Sequence, residues 1–403
     1  MKKSIILTIV GLLLVFVYFL IEPVFSMIQL GEDISEFDQL RPSIKHQDDI
    51  DIKADDILVE YFDSLDAPSL SIAIGVENEL VWANAVGYAS IETKTSADTA
   101  TRYRVGSISK SLTSVGLGKL LENGKLELNS TAGEYVPYVS GKLSNLTVQQ
   151  LASHTAGIRN YGTCMCLPIW EFTNNDQFTS VEASISVFGN DDLLFEPGTD
   201  FSYSTYNYTL LSGIMEGAAK KDFLDYMKDE VFTPLSLSHT AADYPEQSAN
   251  RADSYEVNSG TARLSYPVNN SNKWAGGGFL STPSDLVKFG NAVLNYELLD
   301  STTTNLLFTP ILLAVGEVNE QNYGLGWRNH VSTNIIQDHR EVRMYHHGGS
   351  AAGGIAMLIL LPEYNVTVAA TMNRSGTSSD LFKVVYRIAE LFILEGQTNH
   401  QYY

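Results

Sequence analysis

A serine and a lysine three residues apart, Ser107 and Lys110, are the residues of this chain whose types and spacing best suit chemistry. They stand at the start of an apolar helical run, and residues three apart share one face of a helix. The lysine amine can therefore reach the serine hydroxyl and activate it as a nucleophile without a histidine. Such pairs also arise by chance on solvated helix faces, but the chain has no other Ser-x-x-Lys.

Two later stretches contain residues that could act with this pair. Tyr203 lies just before a strongly helical run at 208–219, and His347 begins a His-Gly-Gly-Ser stretch that leads into strands. Taken alone, Tyr203 could be a core aromatic, because the chain has 21 tyrosines, and His347 could be a loop residue. The chemistry requires that the fold bring these stretches to the serine.

The acid and base chemistry of such a site depends on shifted pKa values. A free lysine titrates near ~10.4 and a free tyrosine near ~10, so neither is a base at neutral pH without a shift of several units. Placing Lys110 and Tyr203 together in a partly desolvated cleft supplies that shift. We expect the two side chains to share the base and acid steps, in an order that the sequence leaves open.

The pattern of strands and helices predicts how these residues are positioned. Apolar runs at 70–76 and 80–86 form a hairpin, and runs at 357–361 and 366–372 form a second strand pair. The chain between is mainly helical, and an amphipathic helix at 381–394 ends it. We therefore predict an α/β (α+β) fold, with an antiparallel sheet built from both ends of the chain, flanking helices, and a mainly helical inserted subdomain at about 126–290.

Composition limits the classes of partner. The 403 residues carry a formal net charge of −21, which disfavours a phosphate backbone as a partner. We therefore expect no nucleic acid. The eight histidines include no His-Glu-x-x-His, and we expect neither a metal nor another cofactor. Cys164 and Cys166 are one residue apart, which strains a disulfide, so we interpret them as incidental thiols or a labile pair.

The N-terminus predicts a membrane location. Two lysines precede an uncharged run long enough to cross a bilayer, so we predict a single-pass anchor at 1–25 that serves as the membrane contact. An acidic linker would follow at 26–57, and then an extracytoplasmic hydrolase domain, periplasmic or extracellular, at 58–398. The alternative is cleavage after Ser26, which would give a secreted protein.

Taken in order, the motifs resemble those of the serine β-lactamase and penicillin-binding family, in its class C-like branch that also contains esterases and D-aminopeptidases. The resemblance runs over 68–394. Besides the stretches at Ser107, Tyr203 and His347, it includes 151–157, 275–277 and 323–327. It implies a β-lactamase/transpeptidase-like fold.

The resemblance also implies roles for individual residues. Ser107 would be the acylated nucleophile, with Lys110 and Tyr203 as its catalytic partners. His347, Gly348 and Gly349 would take the place of the family's Lys-Thr-Gly strand and bind substrate. The oxyanion hole would consist of the backbone N–H groups of Ser107 and Ser350.

Two departures from the family pattern bear on the substrate. Thr205 stands where the family usually has asparagine two positions after the tyrosine, and it would join the substrate-binding residues. His347 replaces the lysine, and a histidine carries less charge at neutral pH. With the stretch at 157–161, these variants are most similar to the mitochondrial β-lactamase-like serine proteases and their bacterial relatives, and they make a peptidase or esterase a better prediction than a true β-lactamase.

The sequence thus predicts an exported serine hydrolase that forms an acyl-enzyme on Ser107. Its partner would be a small-molecule or peptide substrate, such as a cell-wall fragment, an ester or a β-lactam. The alternative is a non-catalytic binding or assembly module at the membrane, because a fold alone does not establish catalysis.

Overall fold

The computed structural model describes residues 2–26, 32–33, 42–161, 171, 174–245 and 249–400. Cys164 and Cys166 lie outside these residues. The helices are α1 (Lys2–Ser26), α2 (Asp49–Leu65), α3 (Ile108–Glu122), α4 (Ala132–Tyr135), α5 (Val148–Ala152), α6 (Val181–Ile185), α7 (Thr205–Ala219), α8 (Phe223–Met227), α9 (Trp274–Gly277), α10 (Pro283–Leu294), α11 (Ser301–Phe308) and α12 (Phe382–His400). The strands are β1 (Glu32–Asp33), β2 (Ser69–Val76), β3 (Glu79–Ser90), β4 (Thr95–Ser96), β5 (Tyr103–Arg104), β6 (Ala241–Ala242), β7 (Tyr255–Asn258), β8 (Thr261–Leu264), β9 (Phe279–Ser281), β10 (Arg328–Ser332), β11 (Val342–Ala351), β12 (Gly354–Leu361) and β13 (Val366–Met372).

Both ends of the folded chain contribute to the central sheet. Its seven strands have the order β10-β11-β12-β13-β2-β3-β4, with every neighbouring pair antiparallel. The join is the pairing of β13 with β2, where Val366 lies opposite Val76 and Met372 opposite Leu70. This arrangement confirms the predicted antiparallel sheet built from both ends. Two three-stranded sheets, β5-β9-β6 and β1-β8-β7, lie in the described residues outside it.

Helices cover both faces of the sheet, and each face has its own apolar core. Leu58 of α2 and Ile388 of α12 belong to one core, together with Ile72 of β2. Leu112 of α3 and Leu211 of α7 belong to the other, on the face that carries the functional residues. Residues of β12 and β13 are buried throughout, which explains why these strands have continuous apolar sequences instead of alternating ones.

The first domain helix extends into the segment predicted as an acidic linker. Helix α2 begins at Asp49, inside 26–57, because its apolar side is buried at Ala54 and Leu58. One of its acidic residues also has a partner in the sheet: the Asp55 carboxylate accepts a hydrogen bond from the Asn84 side chain at 2.8 Å. The acidic run is therefore partly a packed, amphipathic helix.

The prediction of a membrane anchor needs correction. The structure forms α1 at Lys2–Ser26, where the sequence predicts the anchor. Among the helices of the described residues, however, none combines the length and hydropathy that are needed to cross a membrane. The predicted single-pass anchor is therefore wrong. The membrane-anchored, extracytoplasmic location was inferred from that anchor and is not supported.

Candidate active site

Ser107 lies at the N-terminus of α3, at the only partly exposed position in a buried stretch. Residues 103–106 before it and 108–118 after it are all buried. Strand β5 pairs with β9 just before this turn. The backbone N–H of Val105, the next residue after β5, donates to the carbonyl of Phe279 in β9 at 3.2 Å and so fixes the start of the turn. The serine hydroxyl is thus presented to the cleft at the positive end of a helix dipole, which favours developing negative charge.

Two glycines allow β11 to approach this turn. A Cβ on Gly349 would lie 1.9 Å from the carbonyl oxygen of Val105, and a Cβ on Gly106 would lie 2.8 Å from the backbone nitrogen of Ser350. Gly106 also has a φ of +50°, a conformation that favours glycine. The backbone of Ser350 is therefore close to the Ser107 turn, as the predicted oxyanion hole requires.

Lys110 is fully buried and surrounded by oxygens. Its Nζ lies 3.2 Å from the Ser107 Oγ, 3.3 Å from the Thr205 Oγ1 and 2.5 Å from the Gly276 carbonyl oxygen. Burial lowers the pKa of Lys110 well below its ordinary value, and the nearby charges of Arg328 and Lys273 lower it further. The amine is therefore held toward its neutral form, in which it can accept the serine proton.

Tyr203 lies against the same amine. The Lys110 Nζ is 4.7 Å from the centroid of its ring, and the ring of His154 packs beside it with the centroids 4.2 Å apart. Burial raises the pKa of Tyr203 to about 12, although Arg328 and the Ser107 hydroxyl act in the opposite direction. Its buried hydroxyl has no partner with good hydrogen-bond geometry among the described residues. Tyr203 is thus a neutral phenol beside the nucleophile.

Thr205 begins α7 and faces Lys110. Its backbone N–H donates to the Asn160 side-chain oxygen at 3.0 Å, which satisfies one of the free donors at the helix start. Its side-chain oxygen is the Lys110 contact already described. The structure therefore gives Thr205 a position beside the predicted base, in addition to the substrate contact that the resemblance implies.

His347 is fully buried in a network of side chains. Its Nε2 lies 2.9 Å from the Tyr323 hydroxyl and 3.4 Å from the Arg328 Nη1, and its Nδ1 lies 2.7 Å from the Gly348 carbonyl oxygen. These contacts fit a neutral ring whose Nδ1–H donates to Gly348, because Nε2 then accepts from Tyr323. Burial and the Arg328 charge lower the pKa of His347 well below its ordinary value. His347 therefore supplies no positive charge at neutral pH.

The positive charge beside His347 belongs to Arg328, a residue that the sequence motifs did not predict as part of the site. Its guanidinium lies 5.4 Å from the ring centroid of Tyr203 and 5.3 Å from that of Tyr323, and two of its nitrogens donate to the Gln321 side chain. The available signal was its position directly after the motif at 323–327. Strand β10 places it opposite His346, a pairing that no local pattern reveals.

The cleft continues from the serine along β11. Strand β10 pairs with β11 only as far as His346, so Gly348 and Gly349 have no strand on that side among the described residues. Beyond them, Ser350 and Tyr161 line a cavity of about 350 Å³, together with Glu256 and Arg263 of the β7–β8 hairpin. A substrate backbone can therefore lie along β11 past the predicted nucleophile.

Sequence comparison places the chain among known proteins. The profile of the family described as Beta-lactamase matches residues 54–391. The chain is 31% identical over 390 residues to the human mitochondrial serine beta-lactamase-like protein LACTB, covering 76% of this chain and 71% of that protein. It is 26% identical over 324 residues to protein flp of Staphylococcus aureus, covering 76% of this chain and 60% of flp.

Solved structures share the fold. The penicillin-binding protein homologue from Pyrococcus abyssi matches with a TM-score of 0.69 and 23% identity, over 85% of this chain and 77% of that one. The D-amino acid amidase from Ochrobactrum anthropi SV3 complexed with D-phenylalanine matches with a TM-score of 0.70 and 20% identity, over 88% of this chain and 100% of that one. These matches confirm the β-lactamase/transpeptidase-like fold. The profile match over residues 54–391 and the 31% identity to LACTB establish that the chain belongs to the β-lactamase family of serine hydrolases.

Proposed function

We propose that this protein hydrolyses an amide through an acyl-enzyme on Ser107, with neutral Lys110 as the base. The observation that carries the proposal is the Lys110 amine, which is fully buried, lies 3.2 Å from the Ser107 hydroxyl oxygen and is beside two further cations. An amine in these surroundings is deprotonated far more readily than a free lysine. It can therefore accept the serine proton at neutral pH.

Acylation follows from this arrangement. The Ser107 Oγ attacks the substrate carbonyl while its proton passes to the Lys110 Nζ, and the backbone N–H groups of Ser107 and Ser350 stabilise the tetrahedral oxyanion. As the C–N bond breaks, the Tyr203 hydroxyl gives its proton to the leaving nitrogen. The Lys110 ammonium then returns a proton to the Tyr203 phenolate. The net transfer is one proton from the serine to the leaving amine.

Deacylation uses the same groups. A water molecule attacks the Ser107 ester and transfers a proton to Lys110, and the Lys110 ammonium, 3.2 Å from the serine oxygen, returns that proton to this oxygen as the ester C–O bond breaks. Tyr203 is neutral because burial raises its pKa to about 12, so it can act as the acid in the first half and regain its proton afterwards.

The charges of the cleft favour a substrate with a carboxylate near the scissile bond. The Arg328 guanidinium lies over the ring of Tyr203, so it is close to the predicted site of proton transfer to the leaving group. Burial keeps the His347 ring neutral, so the positive charge beside it is that of the Arg328 guanidinium. An amide substrate is consistent with two structural neighbours, a D-amino acid amidase and a D-stereospecific amidohydrolase.

A panel of substrates tests this proposal. Purified protein is assayed with D-amino-acid amides, peptides that end in a free carboxylate, p-nitrophenyl esters and nitrocefin, and the acyl-enzyme is trapped by acid quench and intact mass spectrometry. We expect turnover of amides, a mass increase equal to the acyl group, and its location on the peptide that contains Ser107. Hydrolysis of esters alone would contradict the amide assignment, and an adduct on another residue would contradict the mechanism.

A further inference from the structure

The cavity of about 350 Å³ beside Ser350 lies where the acyl half of a substrate must go. Along β11, Arg328 is beside His347, whereas the cavity begins at Ser350. A carbonyl carbon next to Ser107 carries two groups, the leaving nitrogen and the acyl chain. Because the leaving nitrogen receives its proton from Tyr203 in the proposed function, the acyl chain takes the other direction, past Ser350 into the cavity.

The walls of this cavity suit a long side chain with a charged end. Tyr161, Tyr266 and Val268 contribute aromatic and aliphatic surface, and Glu256 contributes a carboxylate. A side chain like that of lysine packs its methylene groups on such surface and keeps its charged end at a polar partner. A volume of about 350 Å³ is near the lower limit for ligand pockets, ~300 Å³, so it suits a single side chain.

The β7–β8 hairpin turns Glu256 away from the apolar core. Its neighbours in β7, Tyr255 and Val257, pack in an apolar cluster with Ala262 of β8. Successive residues of a strand face opposite sides, so Glu256 faces the cavity that it lines. The Ser375 hydroxyl donates to the Glu256 Oε1 at 2.5 Å and holds the carboxylate in place. A carboxylate can accept about four hydrogen bonds, so this contact leaves acceptor sites for a ligand.

A second charge on the hairpin limits where a ligand cation can bind. Arg263 is paired directly opposite Glu256 and lines the same cavity. The two charges cancel at a distance, so a cation is stabilised only when it is held next to Glu256. The formal net charge of −21 on the chain also favours the approach of a cation over that of an anion.

We propose that Glu256 is a specificity-determining residue that binds a basic side chain, of about the length of lysine, on the acyl residue of the substrate. This inference rests on the proposed function, because it concerns the acyl half of the same substrate. Combined with Arg328 on the leaving-group side, it defines the substrate class as a peptide with a basic residue before the scissile bond and a carboxylate after it.

Two peptides that differ by one ammonium group test the inference. N-acetyl-lysyl-alanine and N-acetyl-norleucyl-alanine have side chains of similar length, and each is prepared with the first residue in the L and in the D form. The acetyl group removes the α-ammonium, and the alanine carboxylate is available to Arg328. We expect a kcat/KM about tenfold higher for the lysyl peptide, as for the gain of one charge-assisted hydrogen bond.

Three variants then assign that preference to the hairpin. Glu256→Gln should reduce the lysyl-to-norleucyl ratio of kcat/KM to about one. Arg263→Gln should raise the ratio a few-fold, because it removes a like charge from the neighbourhood of the ammonium. Glu363→Gln, at an exposed glutamate in the turn between β12 and β13, is the matched control and should leave the ratio unchanged.

The outcomes separate this inference from the proposed function. If the wild type hydrolyses both peptides equally well, or if Glu256→Gln keeps the wild-type ratio, Glu256 does not bind a basic side chain. A preference for unacetylated peptides that Glu256→Gln abolishes would assign Glu256 to the peptide N-terminus and overturn the inference. Absence of a Ser107 adduct with every peptide would instead contradict the proposed function. Circular dichroism monitors folding, and the wild-type and Arg263→Gln ratios decide the question if Glu256→Gln is unstable.

Discussion

Adjacent histidines on β11 face opposite sides of the sheet and have different surroundings. His346 lies on the side of α12, with its Nε2 2.9 Å from the His330 Nδ1 and its ring against Phe382. His347 lies on the other side, in the network with Tyr323 and Arg328. Both are buried, and burial lowers the pKa of each, that of His346 to about 3.

A shifted pKa therefore does not by itself locate an active site. The same physical cause, burial that disfavours the charged ring, acts on both histidines. What distinguishes the His347 side is convergence: side chains from α3, α7, β10 and β11 meet around one partly exposed hydroxyl.

Replacing the nucleophile should have the largest effect. Ser107→Ala should lower amide turnover by about 10⁴-fold or more and abolish the covalent adduct, because no other step can proceed without the acyl-enzyme. The matched control is Ser111→Ala, one turn further along the same helix, whose hydroxyl donates to the Gly326 carbonyl at 2.8 Å. That variant should lose stability but keep the adduct. Steady-state kinetics and intact mass measure both, and an adduct on Ser107→Ala would contradict the assignment.

The two histidines give a direct comparison. His347→Ala should lower kcat/KM by roughly 10- to 100-fold, because Tyr323 and Arg328 lose the ring that orients them. His346→Ala should leave kcat/KM within a few-fold and lower the free energy of unfolding by about 1–3 kcal/mol. Kinetics and urea unfolding of both variants check this. Equal losses of activity would show that the two faces do not differ in function.

Arg328 should determine preference for charged substrates. Arg328→Met should raise KM about tenfold for substrates with a carboxylate near the scissile bond, since a charge-assisted hydrogen bond is worth about 1.5–3 kcal/mol. The KM for neutral amides and esters should change little. Arg343→Met, an exposed arginine on β11, is the control. A uniform loss across both substrate classes would indicate that Arg328 supports the fold and does not recognise charge.

The smallest effect concerns acid stability on the α12 side. The folded-state pKa of His346, about 3, lies below the ordinary value of 6.5, so the unfolded chain binds more protons in this interval. Stability is therefore present above about pH 6.5 and falls as the pH drops toward 3, by at most ~1.4 kcal/mol per pH unit for this group. His346→Phe should reduce the loss between pH 7 and pH 5 by about 1–2 kcal/mol. Urea unfolding at both pH values measures it, and an unchanged pH dependence would contradict the prediction.

Local patterns predicted the sheet well. The strand expected at 366–372 has those bounds in the structure, and the hairpin at 70–76 and 80–86 became β2 and the longer β3. Apolar runs bounded by turns fix such elements without knowledge of the rest of the chain. Strand β11 was recognised only through its His-Gly-Gly motif, because its glycines and alternating burial obscure a strand pattern.

The site was harder to predict where it depends on long-range packing. Ser107 and Lys110 are neighbours on one helix, so their spacing alone predicts their contact. The partners Gly276 and Arg328 reach them only because α9 and β10 pack beside α3 and β11, and no local pattern encodes those contacts. For the same reason, the sequence did not predict that Arg328 lies beside His347.

The rate at which a fluorophosphonate modifies Ser107, measured from pH 5 to pH 11, tests the central claim most directly. A buried amine with a lowered pKa predicts modification that is already at its plateau near neutral pH and falls only on the acid side. A rate that continues to rise to about pH 10, the range of an ordinary lysine, would contradict the claim that Lys110 is the neutral base. Modification at a residue other than Ser107 would contradict the account as a whole.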